Sequence, residues 1–430
     1  MTSALVGGPG ALAPITILQS ARGHRRTKSR LRTAQQWREI IGGMRVQLGC
    51  ERLLASSSLD GRSVGLVCNP ASVDANLRHV ADLFAQYPRV TLAALFGPQH
   101  GFRSDVQDNM IETGHGQDCT RRVPVYSLYS ETREPTAAML AGLDALVIDL
   151  QDVGSRIYTF IYTMANCLIA ARKHGVKAIV CDRPNPIGAA DVEGPMLVRG
   201  YESFVGQYPI PMRHGMTIGE LAQLFNTEFG IGADLEVIAM GGWRREMYFD
   251  STGLSWVIPS PNMPTLDTAI VYPGTVLFEG TNVSEGRGTT RPFEIVGAPW
   301  PVAERFAGAM NQAGLPGVHF RPAVFEPTFQ KHAKTTCAGC QIHVLDRRAF
   351  KPVETGVALI AAFRAAGLDQ FAWRNPPYEY EHDKMPIDIL AGSSELREQI
   401  EAGVPAREIA ESWKPAVSAF TKTRERYLLY

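Results

Sequence analysis

The chain lacks any run of about 18 consecutive apolar residues, the length that a membrane-spanning helix requires. It also lacks an excess of either charge, because 43 lysines and arginines balance 43 aspartates and glutamates. A protein that binds nucleic acid needs a basic face, and this balance gives no sign of one. We therefore expect neither an integral membrane segment nor a nucleic-acid partner.

Cysteine is also scarce. The chain has 7 cysteines, and an odd, scattered set argues against a disulfide framework. Cys337 and Cys340 have the spacing of half a zinc or redox site, but no second pair accompanies them. We therefore expect free thiols at these positions and predict no metal site.

Several motifs that would identify an enzyme class are missing. No G-x-G-x-x-G follows the first predicted strand and no G-x-x-x-x-G-K-[ST] occurs, so a nucleotide or dinucleotide cofactor is not predicted. The H-E-x-x-H pattern of zinc proteases and the G-x-S-x-G elbow of serine hydrolases are absent too. These absences argue against a dinucleotide or ATP site, a zinc-protease site and a serine-hydrolase site of these types.

Residues 1–44 differ from the rest of the 430-residue chain. Glycine and proline interrupt residues 4–14, and a basic run, HRRTKSRLR, follows at residues 24–32. Because this charge follows the weak apolar patch instead of preceding it, the pattern is not that of a signal peptide. We interpret residues 1–44 as a flexible extension or as the product of a start codon placed too early, which leaves the compartment open.

From residue 46 onward, short apolar runs alternate with helical patterns. Strands are predicted at residues 63–68, 90–96, 123–129, 146–150, 176–181 and 235–240, and helices at 76–86, 135–143, 157–173 and 217–229. The last helix begins with a capping box from Thr217 to Glu220. This alternation predicts βαβ crossovers and a Rossmann-like, mostly parallel sheet with helices on both faces.

The pattern changes toward the C-terminus. Predicted helices at residues 302–312, 353–366 and 414–430 are mixed with predicted strands at 318–320 and 340–344. Length alone favours two domains. We therefore place a Rossmann-like domain at residues 45–290 and a smaller α+β domain at 291–430.

Polar side chains follow four of the predicted strands. They are Asn69, Gln99, His100, Gln151, Asp152, Asp182 and Asn185. Because parallel strands end at one edge of a sheet, where ligands of such folds bind, we expect one site there. Asp149 lies within a buried strand, where a carboxylate is costly without a partner. It either pairs with Arg156 to hold the corner between strand and helix, or contacts a ligand directly.

Three loops and one histidine add candidate groups. The loop at residues 97–105 presents Gln99, His100, Arg103 and Asp105, and the loop at 279–288 presents Glu279, Asn282, Glu285 and Arg287. Prolines flank Asn262 in a third loop, and His214 precedes a predicted helix. The structural alternatives are a surface turn for residues 97–105, an ion pair for the carboxylates and arginine of residues 279–288, and a structural role for His214. Carboxylates, amides, arginines and histidines beside aromatic residues suit carbohydrate recognition and acid/base cleavage of a glycosidic bond.

The sequence also resembles a known family. The motifs are LFGPQHG (95–101), DLQDVGSR (149–156), DRPNP (182–186), SFVG (203–206), RHGMTIGE (213–220), PSPNMP (259–264) and EGTNVSEGRGT (279–289). They are similar to those of the NamZ (YbbC-like) exo-β-N-acetylmuramidases over residues 46–430. The resemblance implies a Rossmann-like catalytic domain, no metal or organic cofactor, and release of N-acetylmuramic acid from the non-reducing end of peptidoglycan fragments. Members of this family are often exported, whereas this sequence leaves a cytoplasmic location open.

One position departs from the family pattern. The family motif reads Pro-Glu-His-Gly, and its glutamate is the favoured catalytic acid, but residue 99 of this chain is glutamine. An amide is not a general acid at neutral pH. The protein is then a weak or inactive muramidase that still binds sugar, or another carboxylate such as Asp105, Glu112 or Glu285 replaces the acid, or the substrate's acetamido group acts as nucleophile and Gln99 orients it.

The resemblance also suggests roles. We expect Glu285 or Asp152 as the working carboxylate, assisted by His100 and His214. Arg156 and Arg287 are expected to hold the lactyl carboxylate, because a guanidinium grips a carboxylate through two hydrogen bonds. A non-catalytic sugar-binding protein and a hydrolase for a different glycoside are the alternatives.

Overall fold

Short runs of β-branched and aliphatic residues form the strands of a central sheet, as their composition predicts. In this computed structural model, which describes residues 45–107 and 110–430, the sheet has seven strands in the order β3-β4-β2-β1-β5-β6-β9. Their bounds are β1 Arg62–Cys68, β2 Val90–Gly97, β3 Gly116–Asp118, β4 Val123–Ser127, β5 Ala145–Asp149, β6 Lys177–Cys181 and β9 Leu235–Ile238. Only β3 runs antiparallel to its neighbour, so the predicted, mostly parallel sheet is confirmed.

Both faces of the sheet are buried. Along β1, Val64 and Leu66 belong to one apolar cluster and Val67 to another, as the alternation of side chains along a strand requires. Helices Gly49–Ala55 and Val80–Gln86 contribute to the first cluster, and helices Phe160–His174 and Ile218–Thr227 to the second. Helices therefore cover both faces, as predicted. The expected capping box is also present, since the Thr217 hydroxyl accepts from the Glu220 N–H and the Glu220 carboxylate from the Thr217 N–H.

The C-terminal region contains a smaller antiparallel sheet, β10-β12-β11, with a set of helices. Its strands are β10 Ile295–Ala298, β11 Val318–Phe325 and β12 Cys337–Val344, and its helices are Ala303–Gln312, Pro352–Ala366, Pro386–Ala391, Glu395–Glu401, Ala406–Ser412 and Lys414–Arg424. The remaining elements are the strand pair β7 Glu193–Met196 and β8 Pro211–Arg213, the helices Ala137–Leu140 and Leu266–Thr275, and the 3₁₀ helices Phe249–Ser251, Val276–Gly280 and Glu425–Tyr427. The boundary at residue 290 stays a prediction.

The interpretation of residues 1–44 concerns a segment outside the described residues. Within residues 45–107 and 110–430, every helix is too short or too polar to cross a lipid bilayer. Cys337 and Cys340 are buried free thiols of β12, as expected.

A buried arginine ties the central sheet to the C-terminal helices. Arg156 is 0% exposed and donates to the carbonyls of Pro195 and Ile210 at 3.1 Å and to those of Leu390 and Ala391 at 2.8 Å. Burial lowers the pKa of its guanidinium to about 10, which still leaves it charged at neutral pH. This carbonyl clamp joins the loop after β5, the β7–β8 pair and helix Pro386–Ala391.

Replacing Arg156 with methionine is expected to destabilise the protein by several kcal/mol, because each buried carbonyl left without a donor costs about 1–3 kcal/mol. Chemical unfolding followed by circular dichroism measures this change. Arg89→Met is the control, since the Arg89 side chain is 54% exposed and pairs with Asp60 at the surface. An equal decrease in the free energy of unfolding of the two variants would contradict the proposed importance of the clamp.

Glu193 on β7 makes stability depend on pH. Its carboxyl accepts the Glu354 N–H at 2.9 Å, at the start of helix Pro352–Ala366, and burial raises its pKa to about 7. The folded protein thus holds this proton more tightly than the unfolded chain, whose glutamates titrate near about 4.3. The protonated Glu193 carboxyl therefore stabilises the fold fully below the unfolded-state pKa of about 4.3. This stabilisation is lost as the pH rises through the folded-state pKa of about 7.

Glu193→Gln should remove this part of the pH dependence, because glutamine does not titrate. We expect the melting temperature of the variant relative to wild type to rise between pH 5 and pH 8. Thermal unfolding at both values tests this. A difference that stays constant or falls with pH would show that Glu193 does not hold its proton in the folded state.

Candidate active site

A small cavity of about 50 Å³, which is partly open to solvent, lies at the edge where the parallel strands end. Its walls come from distant parts of the chain. The lining residues are Gln99, His100, Ile157, Tyr158, Thr159, Phe160, Val205, Ser260, Asn262, Met263, Tyr272, Glu279, Arg287, Phe293, Tyr378 and Glu379. Five of the predicted site residues therefore meet here, namely Gln99, His100, Asn262, Glu279 and Arg287.

The turn after β2 places Gln99 in this cavity. A β-carbon on Gly97 would lie 2.4 Å from the backbone nitrogen of Phe102, so only glycine allows the chain to fold back this closely. Gln99 is 6% exposed, and its side-chain oxygen accepts the Thr159 hydroxyl at 2.8 Å. This bond orients the amide, so that its NH₂ group is the part left to serve as a donor.

Glu279 and Arg287 form a buried ion pair in the cavity wall. The Arg287 Nη2 atom lies 2.6 Å from Glu279 Oε1, and the Tyr378 hydroxyl donates to Glu279 Oε2 at 2.6 Å. Burial alone would raise the pKa of the Glu279 carboxyl, but Arg287 and Tyr378 together bring it below its usual range. Glu279 is therefore an ionised carboxylate at neutral pH.

Glu285 lies behind this pair and does not line the cavity. Its Oε1 atom is 3.3 Å from Arg287 Nε, and its Oε2 atom is 2.6 Å from Lys331 Nζ. Lys331 also donates to the carbonyls of Phe278 and Val283, and burial lowers the pKa of its ammonium. The four side chains form a row of alternating charge, Glu279-Arg287-Glu285-Lys331, in which Glu285 supports Arg287.

A second carboxylate in the wall, Glu379, was not predicted from the sequence. It is 3% exposed, and its Oε2 atom accepts the Tyr129 hydroxyl at 3.2 Å. Thr159 and Tyr378 were also missed. The run NPPYEYEH at residues 375–382, with two prolines before alternating tyrosines and glutamates, is the signal that could have indicated this part of the wall.

Aromatic rings form much of the remaining wall. Tyr272 contacts Tyr158 with ring centres 6.1 Å apart and Phe293 at 4.8 Å, both edge to face. The Arg287 guanidinium lies over the Phe293 ring, 5.1 Å from its centre. Flat apolar surfaces beside carboxylate, guanidinium and amide groups are suited to the faces and hydroxyls of a sugar.

Other predicted residues form a buried polar layer outside the cavity wall. Its members are Asp149, Gln151, Asp152, Asp182, Asn185 and His214, all at most 3% exposed. Asp149 pairs with Arg183 at 2.7 Å, so the pair with Arg156 that the sequence suggests as one alternative does not form. Asp182 accepts from the Thr217 hydroxyl, the Gly219 N–H and the Tyr430 hydroxyl at 2.7–2.8 Å, while burial raises its pKa to about 7.

The rest of the polar layer connects the loops after β5 and β6. Gln151 donates to the carbonyls of Asp152 and Pro184 at 2.8 Å, and Asn185 donates to the Met216 carbonyl at 2.9 Å. His214 Nδ1 accepts the Met216 N–H, which places the ring proton on Nε2, 3.3 Å from Asp152 Oδ2. This last contact is electrostatic, since its geometry is not that of a hydrogen bond.

The remaining candidates lie elsewhere. Arg103, Asp105 and Glu112 line a separate, open depression beside β3, and Asn282 exchanges hydrogen bonds with Gln370 and Ala372. Arg156 forms the carbonyl clamp. Among the residues that the structure describes, no three His, Cys, Asp or Glu side chains form a group that could hold a metal ion.

Comparisons with known proteins agree with this architecture. The profile described as exo-beta-N-acetylmuramidase NamZ, N-terminal, matches residues 64–267, and its C-terminal counterpart matches residues 270–430. The peptidoglycan beta-N-acetylmuramidase NamZ of Bacillus subtilis (strain 168) is 47% identical over 388 residues, covering 90% of this chain and 92% of that protein.

Two crystal structures of DUF1343 family proteins from Bacteroides fragilis share the fold. One has a TM-score of 0.80 at 34% identity, and the other a TM-score of 0.68 at 28% identity. Each comparison covers 90% of this chain and 99% of the crystallised chain.

Proposed function

The chain belongs to the exo-β-N-acetylmuramidase NamZ family of glycosidases, and we propose that it releases N-acetylmuramic acid from the non-reducing end of peptidoglycan fragments. The reaction cleaves a β-glycosidic bond with water. Its place is in the turnover and recycling of cell-wall material.

The observation that carries this proposal is the composition of the cavity. Two buried carboxylates, Glu279 and Glu379, share one wall with Arg287, the amides of Gln99 and Asn262, and several aromatic rings. Glycosidases of most families use a pair of carboxyl groups at the scissile bond. A cavity at the strand ends with this composition supports hydrolysis of an acidic amino sugar.

Arg287 is the best-placed partner for the lactyl carboxylate that distinguishes muramic acid from glucosamine. Its Nη2 and Nε atoms face Glu279 and Glu285, which fixes the plane of the guanidinium. Among the described residues, the Nη1 atom has no hydrogen-bond partner, and Arg287 lines the cavity. A fixed guanidinium with a donor to spare can bind a carboxylate at little entropic cost.

The proposal is tested with purified full-length protein and two chromogenic substrates, 4-nitrophenyl β-N-acetylmuramide and 4-nitrophenyl β-N-acetylglucosaminide. We expect nitrophenol release from the muramide and little from the glucosaminide. The opposite preference would indicate a hydrolase for a different glycoside. No release from either substrate would overturn the proposed hydrolysis.

A second candidate, a non-catalytic amino-sugar-binding protein, is favoured by Gln99, whose amide in the cavity wall does not donate a proton as an acid does. Isothermal calorimetry with N-acetylmuramic acid separates the two. Binding without turnover would support this candidate, and turnover would exclude it. Activity that arises only in Gln99→Glu would identify the wild-type protein as an enzyme that has lost its acid.

Arg287→Lys should weaken recognition of the lactyl group. We expect a rise of about 10- to 100-fold in the inhibition constant of N-acetylmuramic acid, because a hydrogen bond between charged groups contributes about 1.5–3 kcal/mol. The methyl ester of the lactyl group is the matched ligand, and its affinity should change little. Arg291→Lys is the control variant, since Arg291 pairs with Glu294 and does not line the cavity. Equal weakening of acid and ester would refute the assignment.

A further inference from the structure

The proposed hydrolysis needs a group that donates a proton to the departing sugar oxygen, and the cavity wall contains few candidates. Among the described lining residues, the carboxyl groups are those of Glu279 and Glu379. Glu279 faces the Arg287 guanidinium at 2.6 Å and accepts the Tyr378 hydroxyl, so it stays ionised. An ionised carboxylate does not act as the acid, and neither does the amide of Gln99.

Glu379 lies on a tight turn whose geometry is unusual for its residues. Tyr378 and Glu381 pair through both of their backbone N–H and C=O groups at 2.9 Å, so Glu379 and Tyr380 form a two-residue loop. The φ angles of these two residues are +46° and +69°. A loop with two left-handed residues normally contains Asn or Gly, because a larger side chain is strained there. Strain of this kind is concentrated at functional sites.

The surroundings hold the Glu379 side chain in a defined place. Its Oε2 atom accepts the hydroxyl of Tyr129, a buried and uncharged donor. The Tyr129 ring packs against Phe204 with ring centres 5.2 Å apart and against Tyr380 at 6.3 Å, and the Arg133 guanidinium lies 4.1 Å above its centre. The Glu279 carboxylate thus contacts the Arg287 guanidinium and the Tyr378 hydroxyl, and the Glu379 carboxyl accepts from the Tyr129 hydroxyl. Two carboxyl groups in different surroundings can take different tasks in one reaction.

We infer that Glu379 is the catalytic acid of this chain and that the ionised Glu279 stabilises the positive charge that develops at the sugar ring. This inference rests on the proposed muramidase function. In the reaction the bond between C1 and the glycosidic oxygen breaks, and the departing oxygen takes the proton of Glu379. Water supplies the oxygen that bonds to C1, and its released proton restores the carboxylic acid. Tyr129 is a positioning residue, because it acts through Glu379.

The test compares two substrates that differ in their need for an acid. N-acetylmuramyl-β-1,4-N-acetylglucosamine has an alcohol leaving group that must be protonated, whereas 4-nitrophenol leaves readily as an anion. For Glu379→Gln we expect kcat/KM on the disaccharide to fall by about 100- to 10,000-fold, the usual contribution of a general acid. The loss on 4-nitrophenyl β-N-acetylmuramide should be much smaller, and the alkaline limb of the pH profile should flatten.

Glu381→Gln is the matched control, because Glu381 belongs to the same turn but pairs with Lys384 at 3.1 Å and does not line the cavity. Its activity should equal that of wild type. Tyr129→Phe is the second variant, to be used if Glu379→Gln does not fold. It should lose more activity on the disaccharide than on the aryl substrate, because the Glu379 carboxyl is no longer oriented.

Each outcome decides the inference. A selective loss on the disaccharide supports it. A loss of equal size on both substrates, or no loss, assigns Glu379 a structural role and overturns it while leaving the muramidase function intact. Wild-type protein that hydrolyses neither muramide would overturn the proposed function itself and the role of Glu379 with it.

Discussion

The cavity depends on one buried cation. Arg156 belongs to the loop that follows β5, and it donates to one carbonyl of β7, one just before β8 and two of helix Pro386–Ala391. That loop leads directly to Thr159, which orients Gln99, while Tyr378 and Glu379 come from the C-terminal region. A guanidinium surrounded by carbonyls has no freedom to move, so the two halves of the wall are held in a fixed relation.

The charged side chains beside the cavity also depend on one another. Glu279, Arg287, Glu285 and Lys331 alternate in sign, and each contacts its neighbour within 3.3 Å. The row has no net charge, yet it lies in a region from which water is mostly excluded, where removing one member leaves another unpaired. Glu285 and Lys331 therefore contribute to the site without touching the cavity.

The sheet could be predicted from the sequence because strand composition, strand spacing and the Thr217 cap are local properties. The meeting of Gln99, His100, Asn262, Glu279 and Arg287 could also be expected from loops at strand ends. Arg156 was expected to bind substrate, since nothing in its neighbours along the chain indicates four carbonyl partners. Glu379 could not be predicted because it follows Gln99 by some 280 residues in the sequence. Only the tertiary structure brings the two side chains into one cavity wall.

The left-handed turn at Glu379 and Tyr380 has a consequence for protein engineering. Efforts to raise thermostability introduce glycine or asparagine where the backbone is strained, and here such changes would relax the turn. They would also remove the Glu379 carboxyl group or loosen its fixed position in the cavity wall. Variant libraries selected for thermostability alone should therefore accumulate substitutions at these two positions that raise stability and lower activity, a local instance of the trade-off between stability and activity.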